Sequence, residues 1–211
     1  ARNSAVKQRT AVANQLHALI ATAPEPLRTS LRDMNIPQVV ARARRYHTPT
    51  DPTDPTAGAK AALRSLARRW HALTNEISEL DELITPVVTA TSRPALLAET
   101  GVGTNTAATL IITVGSNPER IRSEPAFAAL CGVSPVDASS GQQQRHRLNR
   151  GGDRQANAAL HQIVIVRLRY HQPTRDYMTR RLAEGKTKKE IIRCLKRHLA
   201  RQLYQHLKPT T

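Results

Sequence analysis

The chain has 211 residues and carries 32 Lys and Arg against 16 Asp and Glu, a formal net charge of +16. So large an excess points to a polyanionic partner, with nucleic acid as the first expectation and an acidic membrane surface as the second. No apolar run approaches the roughly 20 residues that span a bilayer, no signal peptide is recognisable, and two cysteines are too few for a disulfide framework or a thiolate zinc site.

The amino-terminal part of the chain is predicted to form helices followed by a linker. Residues 1–23 place apolar side chains on one helical face, and Pro24 ends that helix. A second helical stretch covers residues 27–46, with an interruption near Pro37. Residues 47–58 read HTPTDPTDPTAG, and three prolines among Thr and Asp predict an extended linker there.

Residues 60–85 contain the clearest periodic pattern of the chain. Seven apolar residues alternate at spacings of three and four, the a/d pattern of a heptad repeat, and Pro86 is predicted to close the helix. One interpretation is a coiled coil that joins chains into a homo-oligomer. The other is a helix that packs back on the first helix of the same chain, and both can hold in a dimer of hairpins. The seven residues are Leu63, Leu66, Trp70, Leu73, Ile77, Leu80 and Ile84.

A glycine turn separates the next two predicted helices. The sequence LLAETGVGTNTAATLIITVG combines an apolar helix, a Gly-Val-Gly turn and an Ala-rich helix, which is the pattern of a helix-hairpin-helix. In such a motif Gly101 and Gly103 permit a tight turn and a close backbone approach, and the amides beginning at Thr104 face a phosphate. Ordinary packed helices also use such turns, so helix packing is the alternative role.

The stretch from Gly132 to Gly152, GVSPVDASSGQQQRHRLNRGG, places Ser139 and Ser140 directly before a glycine. We refer to it as the serine loop. A hydroxyl on a turn among cations can bring an oxygen nucleophile to a phosphate, and Asp137 and His146 are the candidate bases within the loop. A surface loop with a basic rim is the alternative. The cations expected to hold the phosphate backbone are Arg145, Arg147, Arg150 and Arg154.

The carboxy-terminal third of the chain carries most of the excess charge. From residue 139 onward there are 17 Lys and Arg against four acids, a net charge of +13. Residues 154–170 predict a buried helix, and residues 187–207 predict an amphipathic helix with a basic outer face. A solvated cationic face is the alternative to a nucleic-acid surface. The outer face is assigned Lys188, Lys189, Arg193, Lys196, Arg197 and Arg201, of which Lys188, Lys189, Arg193 and Arg197 are predicted to bind nucleic acid.

Four sequence blocks, LLAETGVGTNTAATLIITVG, FAALCGVSP, SSG and RLNRGGDRQANAAL, carry a family resemblance in their order and spacing. The region over about residues 94–207 resembles the carboxy-terminal domain of the IS110 family of insertion-sequence transposases, and the upstream helices resemble the coiled-coil region of that family. The resemblance implies a bridge-RNA-guided recombinase that forms a covalent serine–DNA link. The family serine directly precedes a glycine, which implies Ser140 as nucleophile, with Ser139 in reserve.

The resemblance also implies an amino-terminal RuvC-like domain whose Asp-Glu-Asp-Asp tetrad binds divalent metal. No such tetrad is recognisable here, because the acids lie singly or, like Glu79, Asp81 and Glu82, on the flank of the periodic helix. We therefore expect no metal site or cofactor in this chain, Mg²⁺ only in a RuvC-like domain, and no cleavage by the chain alone. A second departure is Gly151-Gly152-Asp153, where the family usually has a Gly-Asn pair.

These patterns together predict a mainly α protein with two regions. Residues 1–92 form a helical and coiled-coil region, and residues 93–211 form a transposase domain with a helix-hairpin-helix-like motif. We expect the latter to bind DNA and a guide RNA and to supply the nucleophile for transposition, in the bacterial cytoplasm at the nucleoid. The alternative is a non-catalytic nucleic-acid-binding remnant of a truncated transposase, and a helical ribosomal or nucleoid-type binder is a third option.

Overall fold

The computed structural model describes residues 1–47, 51, 53–91, 94–115, 121–137, 146–147, 149 and 151–208, with the backbone alone at 146 and 147. Over these residues the chain forms ten helices and one two-stranded ribbon, so the predicted mainly α fold is confirmed. The chain divides into two compact units, residues 1–83 and 84–211. The domain boundary predicted between residues 92 and 93 stays a prediction.

The first unit is a helical bundle. It contains α1 (Arg2–Thr22), α2 (Glu25–Leu31), α3 (Ile36–Ala43) and the part of α4 (Pro55–Thr91) that precedes residue 84. Helices α1 and α4 run antiparallel, because Arg2 pairs with Asp81 near one end and Arg9 stacks 5.7 Å from the centre of the Trp70 ring farther along. Its apolar core consists chiefly of Val12, Leu16, Ile20, Leu27, Leu31, Val39, Leu63, Leu73 and Ile77.

The periodic stripe of α4 is used within the chain. Leu63, Leu73 and Ile77 are buried in the first unit's own core, and Leu66 and Trp70 pack against it. The interpretation of a helix packing on the first helix of the same chain therefore describes this part of α4. The predicted homo-oligomer through residues 60–85 stays a prediction.

Two predictions about the ends of α4 are wrong. The helix begins at Pro55, so the predicted linker does not extend to residue 58; proline is tolerated in the first turn, where its missing N–H has no helical partner. Pro86 does not close the helix, which continues to Thr91. The lost backbone hydrogen bond is offset by burial of Val88 in the core of the second unit, against which Ile84 also packs.

The second unit is a helical domain with a short β-ribbon. Its helices after α4 surround a core centred on Phe127, Leu110, Leu160 and Ile163, all fully buried. None of the helices in the described ranges has the length and apolar content needed to cross a bilayer. The elements are α5 (Pro94–Ala98), α6 (Thr104–Val114), α7 (Glu124–Leu130), β1 (Val136–Asp137), β2 (His146–Arg147), α8 (Arg154–Tyr170), α9 (Gln172–Ala183) and α10 (Lys188–Leu207).

Capping residues explain why the two predicted carboxy-terminal helices begin where they do. The Asp153 side chain accepts hydrogen bonds from the amides of Gln155 and Ala156 in the first turn of α8. Thr187 and Glu190 form a reciprocal capping box at the start of α10. Helix α9 was not predicted from the sequence. Pro173 follows the end of α8 and occupies the first turn of α9, a position that favours proline.

Candidate serine-loop base and nucleic-acid interface

The central part of the serine loop, residues 138–145, lies outside the described residues, as do residues 148 and 150. Ser139, Ser140, Arg145 and Arg150 are among these residues, and of Arg147 only the backbone is described. Strands β1 and β2 are antiparallel, with Val136 opposite Arg147 and Asp137 opposite His146. The chain between them, residues 138–145, contains both candidate serines, so the ribbon fixes where this segment leaves and rejoins the domain.

Two glycines bring the ends of the serine loop together at what we call the loop base, residues 130–132 and 151–153. The amide of Asp153 donates a hydrogen bond of 2.6 Å to the carbonyl of Leu130. Gly132 and Gly152 have φ angles of 63° and 82°, and a Cβ on Gly152 would lie 2.5 Å from the amide nitrogen of Gly132 and 2.6 Å from the carbonyl oxygen of Leu130. Only glycine fits at residue 152, because both its backbone conformation and the close backbone atoms exclude a side chain.

Asp153 joins the loop base to the start of α8. Its Oδ1 accepts hydrogen bonds from the amides of Gln155, at 2.6 Å, and Ala156, at 3.1 Å. The hydroxyl of Thr113 on α6 lies 3.4 Å from Oδ2. Arg154 is the first residue of α8 and is exposed, so its side chain stands beside the loop base and is accessible to a phosphate.

A second set of hydrogen bonds holds the other side of the loop base. The Asn157 amide nitrogen on α8 donates to the carbonyls of Cys131, at 2.9 Å, and Gly132, at 3.0 Å. The Asn157 amide oxygen accepts from Nζ of Lys196 on α10, at 2.7 Å. Lys196 is only 7% exposed, so its assignment to the basic outer face of α10 is wrong. Burial lowers the pKa of its ammonium group, and the charge of Arg193 lowers it further.

Cys131 is a potentially nucleophilic side chain within the loop base, but its thiol is unreactive. Its thiol is fully buried, and burial together with the negative charge of Asp153 raises its pKa to about 12. The thiol therefore stays protonated at neutral pH and is not a candidate nucleophile.

The glycine turn before α6 packs against the protein itself. Gly101 has a φ of 85°, and a Cβ there would lie 3.0 Å from the carbonyl oxygen of Ile163 on α8. The carbonyl of Thr100 accepts a hydrogen bond of 2.7 Å from Nε of the buried Arg167, whose guanidinium also pairs with Glu99 at 2.8 Å. The close backbone approach predicted for Gly101 is thus made to α8, and its predicted phosphate contact stays a prediction.

Gly103 and Thr104 lie at the amino end of α6. Gly103 is exposed and has open space around its Cα, while Thr104 is half-buried. The amide of Gly103 donates to the Thr106 hydroxyl at 3.0 Å, and that hydroxyl donates to the Gly103 carbonyl at 2.8 Å. The turn therefore satisfies part of its own backbone, and contact of this helix end with a phosphate stays a prediction.

The predicted basic residues of α10 divide into two groups. Lys188 and Lys189 are exposed in the first turn, and Arg193 is half-buried. Arg197 donates two hydrogen bonds to Glu124 of α7, one of them 3.0 Å from Nη2 to Oε2. Its guanidinium therefore ties α10 to α7, whereas the two lysines remain accessible to a polyanion.

A cationic cluster between α9 and α10 was missed from the sequence. The Tyr177 ring lies 5.4 Å from the His198 ring, and the guanidinium groups of Arg180 and Arg181 lie 5.5 and 5.8 Å from the Tyr177 ring. Burial lowers the pKa of His198, and the neighbouring cations, including Arg181, lower it further. The paired arginines following a tyrosine were the available signal, but without a predicted α9 they had no helix face to occupy.

Comparison with known proteins finds a related family for part of the second unit. Residues 94–179 match the profile of a family described as "Transposase IS116/IS110/IS902 family". This segment is similar to that transposase family. The matched range includes the glycine turn, the serine loop with both serines, the loop base and all of α8. The family resemblance stated from the sequence is therefore confirmed.

A curated relative extends the similarity to a named insertion element. The "Insertion element IS110 uncharacterized 43.6 kDa protein" of Streptomyces coelicolor is 30% identical over 119 residues. The match covers 56% of this chain and 29% of the relative, so the matched part is less than a third of the relative's length. Among the described residues of the present chain, no group of three or more His, Cys, Asp or Glu side chains could hold a metal ion.

Proposed function

We propose that the second unit is the serine-bearing part of a transposase, and that Ser140 is the attacking group. The family match indicates transposition, and the closed loop base carries the assignment of the site because it anchors both ends of the segment that contains the serine. Ser139 is the reserve candidate. A rigid base on helices α7 and α8 is the kind of support that a positioned nucleophile requires.

The proposed reaction is a transfer of a DNA phosphoryl group to the serine. The Ser140 hydroxyl oxygen bonds to phosphorus, while the bond from phosphorus to the leaving sugar oxygen breaks. The hydroxyl proton passes to a base, and the leaving oxygen gains a proton. Attack by a sugar hydroxyl on the serine–DNA link then rejoins the strand, so both steps are exchanges of one phosphate ester for another.

Nucleic acid is the proposed partner. Arg154, Lys188 and Lys189 are exposed cations of the second unit, and Arg145, Arg147 and Arg150 precede them within the serine loop. A net charge of +13 from residue 139 onward favours contacts with phosphates. We propose DNA as the substrate and a guide RNA as a second ligand, with the protein located at the bacterial nucleoid.

Mg²⁺ is part of this proposal only as a component bound elsewhere. The described acids do not gather into a metal site, since Glu99 and Glu124 pair with arginines and Asp153 caps α8. We propose that any Mg²⁺ used in the reaction is held by a RuvC-like domain, as the family resemblance implies. When bound, such an ion would neutralise charge on the phosphate.

A homo-oligomer through residues 60–85 is also proposed, with the outer face of α4 as the contact. The inner stripe is occupied by the chain's own core, whereas Leu83 is 69% exposed. A second copy lying antiparallel would pair the basic amino-terminal half of this face with its acidic carboxy-terminal half. The exposed residues concerned are Lys60, Arg68, Arg69, Glu76, Glu79 and Glu82.

Substitution of the two serines tests the proposed chemistry. Ser140→Ala should abolish the covalent protein–DNA adduct while leaving DNA affinity and the melting temperature unchanged, because only the attacking oxygen is removed. Adducts are measured on denaturing gels with labelled DNA and Mg²⁺, for this chain and for the complete product of its reading frame. The chain alone is expected to form none.

The reserve serine supplies the matched control. Ser139→Ala should leave adduct formation by the complete product close to its original level. Loss of the adduct in Ser139→Ala alone would move the role by one residue. An adduct that survives the double substitution would remove serine chemistry from this loop and favour the non-catalytic nucleic-acid-binding alternative.

A further inference from the structure

The burial of Lys196 is not explained by a gain in the stability of the fold. Among the described residues, the buried cations are Arg167 and Lys196, each 7% exposed. Arg167 pairs with the carboxylate of Glu99, the usual solution for a buried charge. The hydrogen-bond partner that the structure gives Lys196 is the neutral amide of Asn157. Burying an ammonium group against an amide costs more than burying an apolar side chain of similar length, so the position calls for another role.

The Lys196 contact determines which way the Asn157 amide faces. An ammonium group only donates, so it can bond only the oxygen end of that amide. The nitrogen end must then point the other way, where it donates to two consecutive carbonyls, those of Cys131 and Gly132. The charge on α10 thus holds the first turn of the serine loop through a single intervening side chain.

The turn held in this way is the one that closes the loop base. A Cβ on Gly132 would lie 2.4 Å from the Gly151 carbonyl oxygen, and a Cβ on Gly152 would lie 2.5 Å from the Gly132 amide nitrogen. A shift of the Gly132 backbone therefore moves residues 151 and 152, which lie against it, and with them the hydrogen bond from Asp153 to Leu130.

We propose that Lys196 is a positioning residue for the serine loop: acting through Asn157, it fixes Gly132 against Gly152 and so sets where the loop leaves α7 and enters α8. Its consequence for DNA cleavage rests on the proposed function, whereas its consequence for the loop base does not. Lys196 lies on α10, outside the family match at residues 94–179 that contains the serine loop. The proposed positioning residue is therefore not part of the matched segment.

Two substitutions separate loop positioning from helix packing. Lys196→Met removes the donor and the charge while keeping an apolar side chain of similar length. Asn157→Asp keeps an acceptor for Lys196, and so keeps the contact between α8 and α10, but loses the donor that faces the two carbonyls. Lys186→Met is the matched control, because Lys186 is a half-buried lysine in the turn before α10 with no described contact to the loop base.

The first measurement is amide hydrogen exchange in the 211-residue chain, read at Asp153, whose N–H donates to Leu130. Losing a buried hydrogen bond should increase local opening about tenfold or more, so exchange should be faster by that factor in Lys196→Met and in Asn157→Asp. Amides in the middle of α10 should exchange as before, and Lys186→Met should change neither region. Unchanged exchange at Asp153 in both variants, or equal acceleration throughout the second unit, would overturn the proposal.

The second measurement is adduct formation by the complete product of the reading frame. Lys196→Met should lower the rate of adduct formation about tenfold or more at saturating DNA and leave the DNA concentration for half-maximal rate unchanged, because binding groups stay in place. If Lys196→Met formed the adduct at the rate of the unsubstituted protein, the positioning role of Lys196 would be contradicted. If the adduct survives substitution of Ser139 and Ser140 together by Ala, the proposed function fails, while the exchange result at Asp153 still decides the role of Lys196.

Discussion

Gly152 and Gly185 have the same φ of 82° but different surroundings. A Cβ on Gly152 would lie within 2.8 Å of three backbone atoms of residues 129–132, whereas nothing lies within 4 Å of the corresponding position at Gly185. Both alanine substitutions incur the strain of a left-handed backbone, and only the first also forces the loop base apart.

The pair gives a prediction at the scale of single residues. Gly185→Ala should lower the free energy of unfolding by about 1 kcal/mol, from backbone strain alone. Gly152→Ala should cost about 3 kcal/mol or more, because backbone atoms cannot rotate out of the way as a side-chain end can. Urea denaturation of both variants measures the difference. Equal losses would mean that the close contacts at the loop base do not exist in solution.

Single residues are also where prediction from sequence reached its limit. The basic pattern of α10 correctly identified a helix with buried Ile191 and Leu199, yet it placed Lys196 and Arg197 with the solvent-facing cations. Helical spacing tells which residues share a face, but it does not tell what another helix brings to that face. Asn157 and Glu124 come from α8 and α7, and only the tertiary fold places them against these side chains.

At the scale of secondary-structure elements, a substitution in α4 tests whether its apolar stripe packs in the core of the same chain. Leu73 is 8% exposed and lies in the core of the first unit, so Leu73→Glu places a carboxylate among apolar groups. The expected cost is about 3 kcal/mol or more in unfolding free energy, and circular dichroism during thermal unfolding measures it. The control is Ala72→Glu, the same charge one position away on an exposed site, which should leave stability nearly unchanged. A stable Leu73→Glu variant would contradict the packing described here.

A second substitution in α4 distinguishes a loss of association from a loss of stability. Leu83→Glu changes an exposed residue and should not unfold the first unit, but it should convert the proposed oligomer into monomers. Light scattering at micromolar concentration reads the mass of each variant. A monomeric unsubstituted chain would remove the oligomer and leave the internal packing of the stripe untouched.

The helices that were predicted incorrectly from the sequence all contain proline. Treating Pro86 as the end of a helix placed the end of α4 too early. Helix α9, which has Pro173 in its first turn, was not predicted at all. The same residue type starts α4 at Pro55, lies inside it at Pro86, and occupies the first turn of α9 at Pro173. The outcome depends on whether apolar residues beyond the proline find a core, as Val88 does, and that information is tertiary.

At the scale of the whole molecule, charge and the family match agree on the class of partner. A formal charge of +16 is compatible with many kinds of nucleic-acid binder, and the similarity of residues 94–179 to a transposase family favours a DNA-binding one. Ion pairs reduce the cations that remain accessible, because Arg167 and Arg197 are engaged by Glu99 and Glu124. The number of phosphates contacted should therefore be well below the number of basic residues.

This count leads to a prediction about salt dependence. If roughly five to eight phosphates are neutralised, the plot of log binding constant against log salt concentration for duplex DNA should have a slope of about −4 to −7, with little dependence on sequence. Replacing both Lys188 and Lys189 by Gln should make the slope shallower by about 2, since each accessible cation contributes close to one released counterion. Arg197→Gln, which removes a cation already held by Glu124, should leave the slope unchanged. Fluorescence anisotropy titrations at several salt concentrations measure all three proteins, and a slope near zero for the unsubstituted chain would rule out phosphate-driven binding.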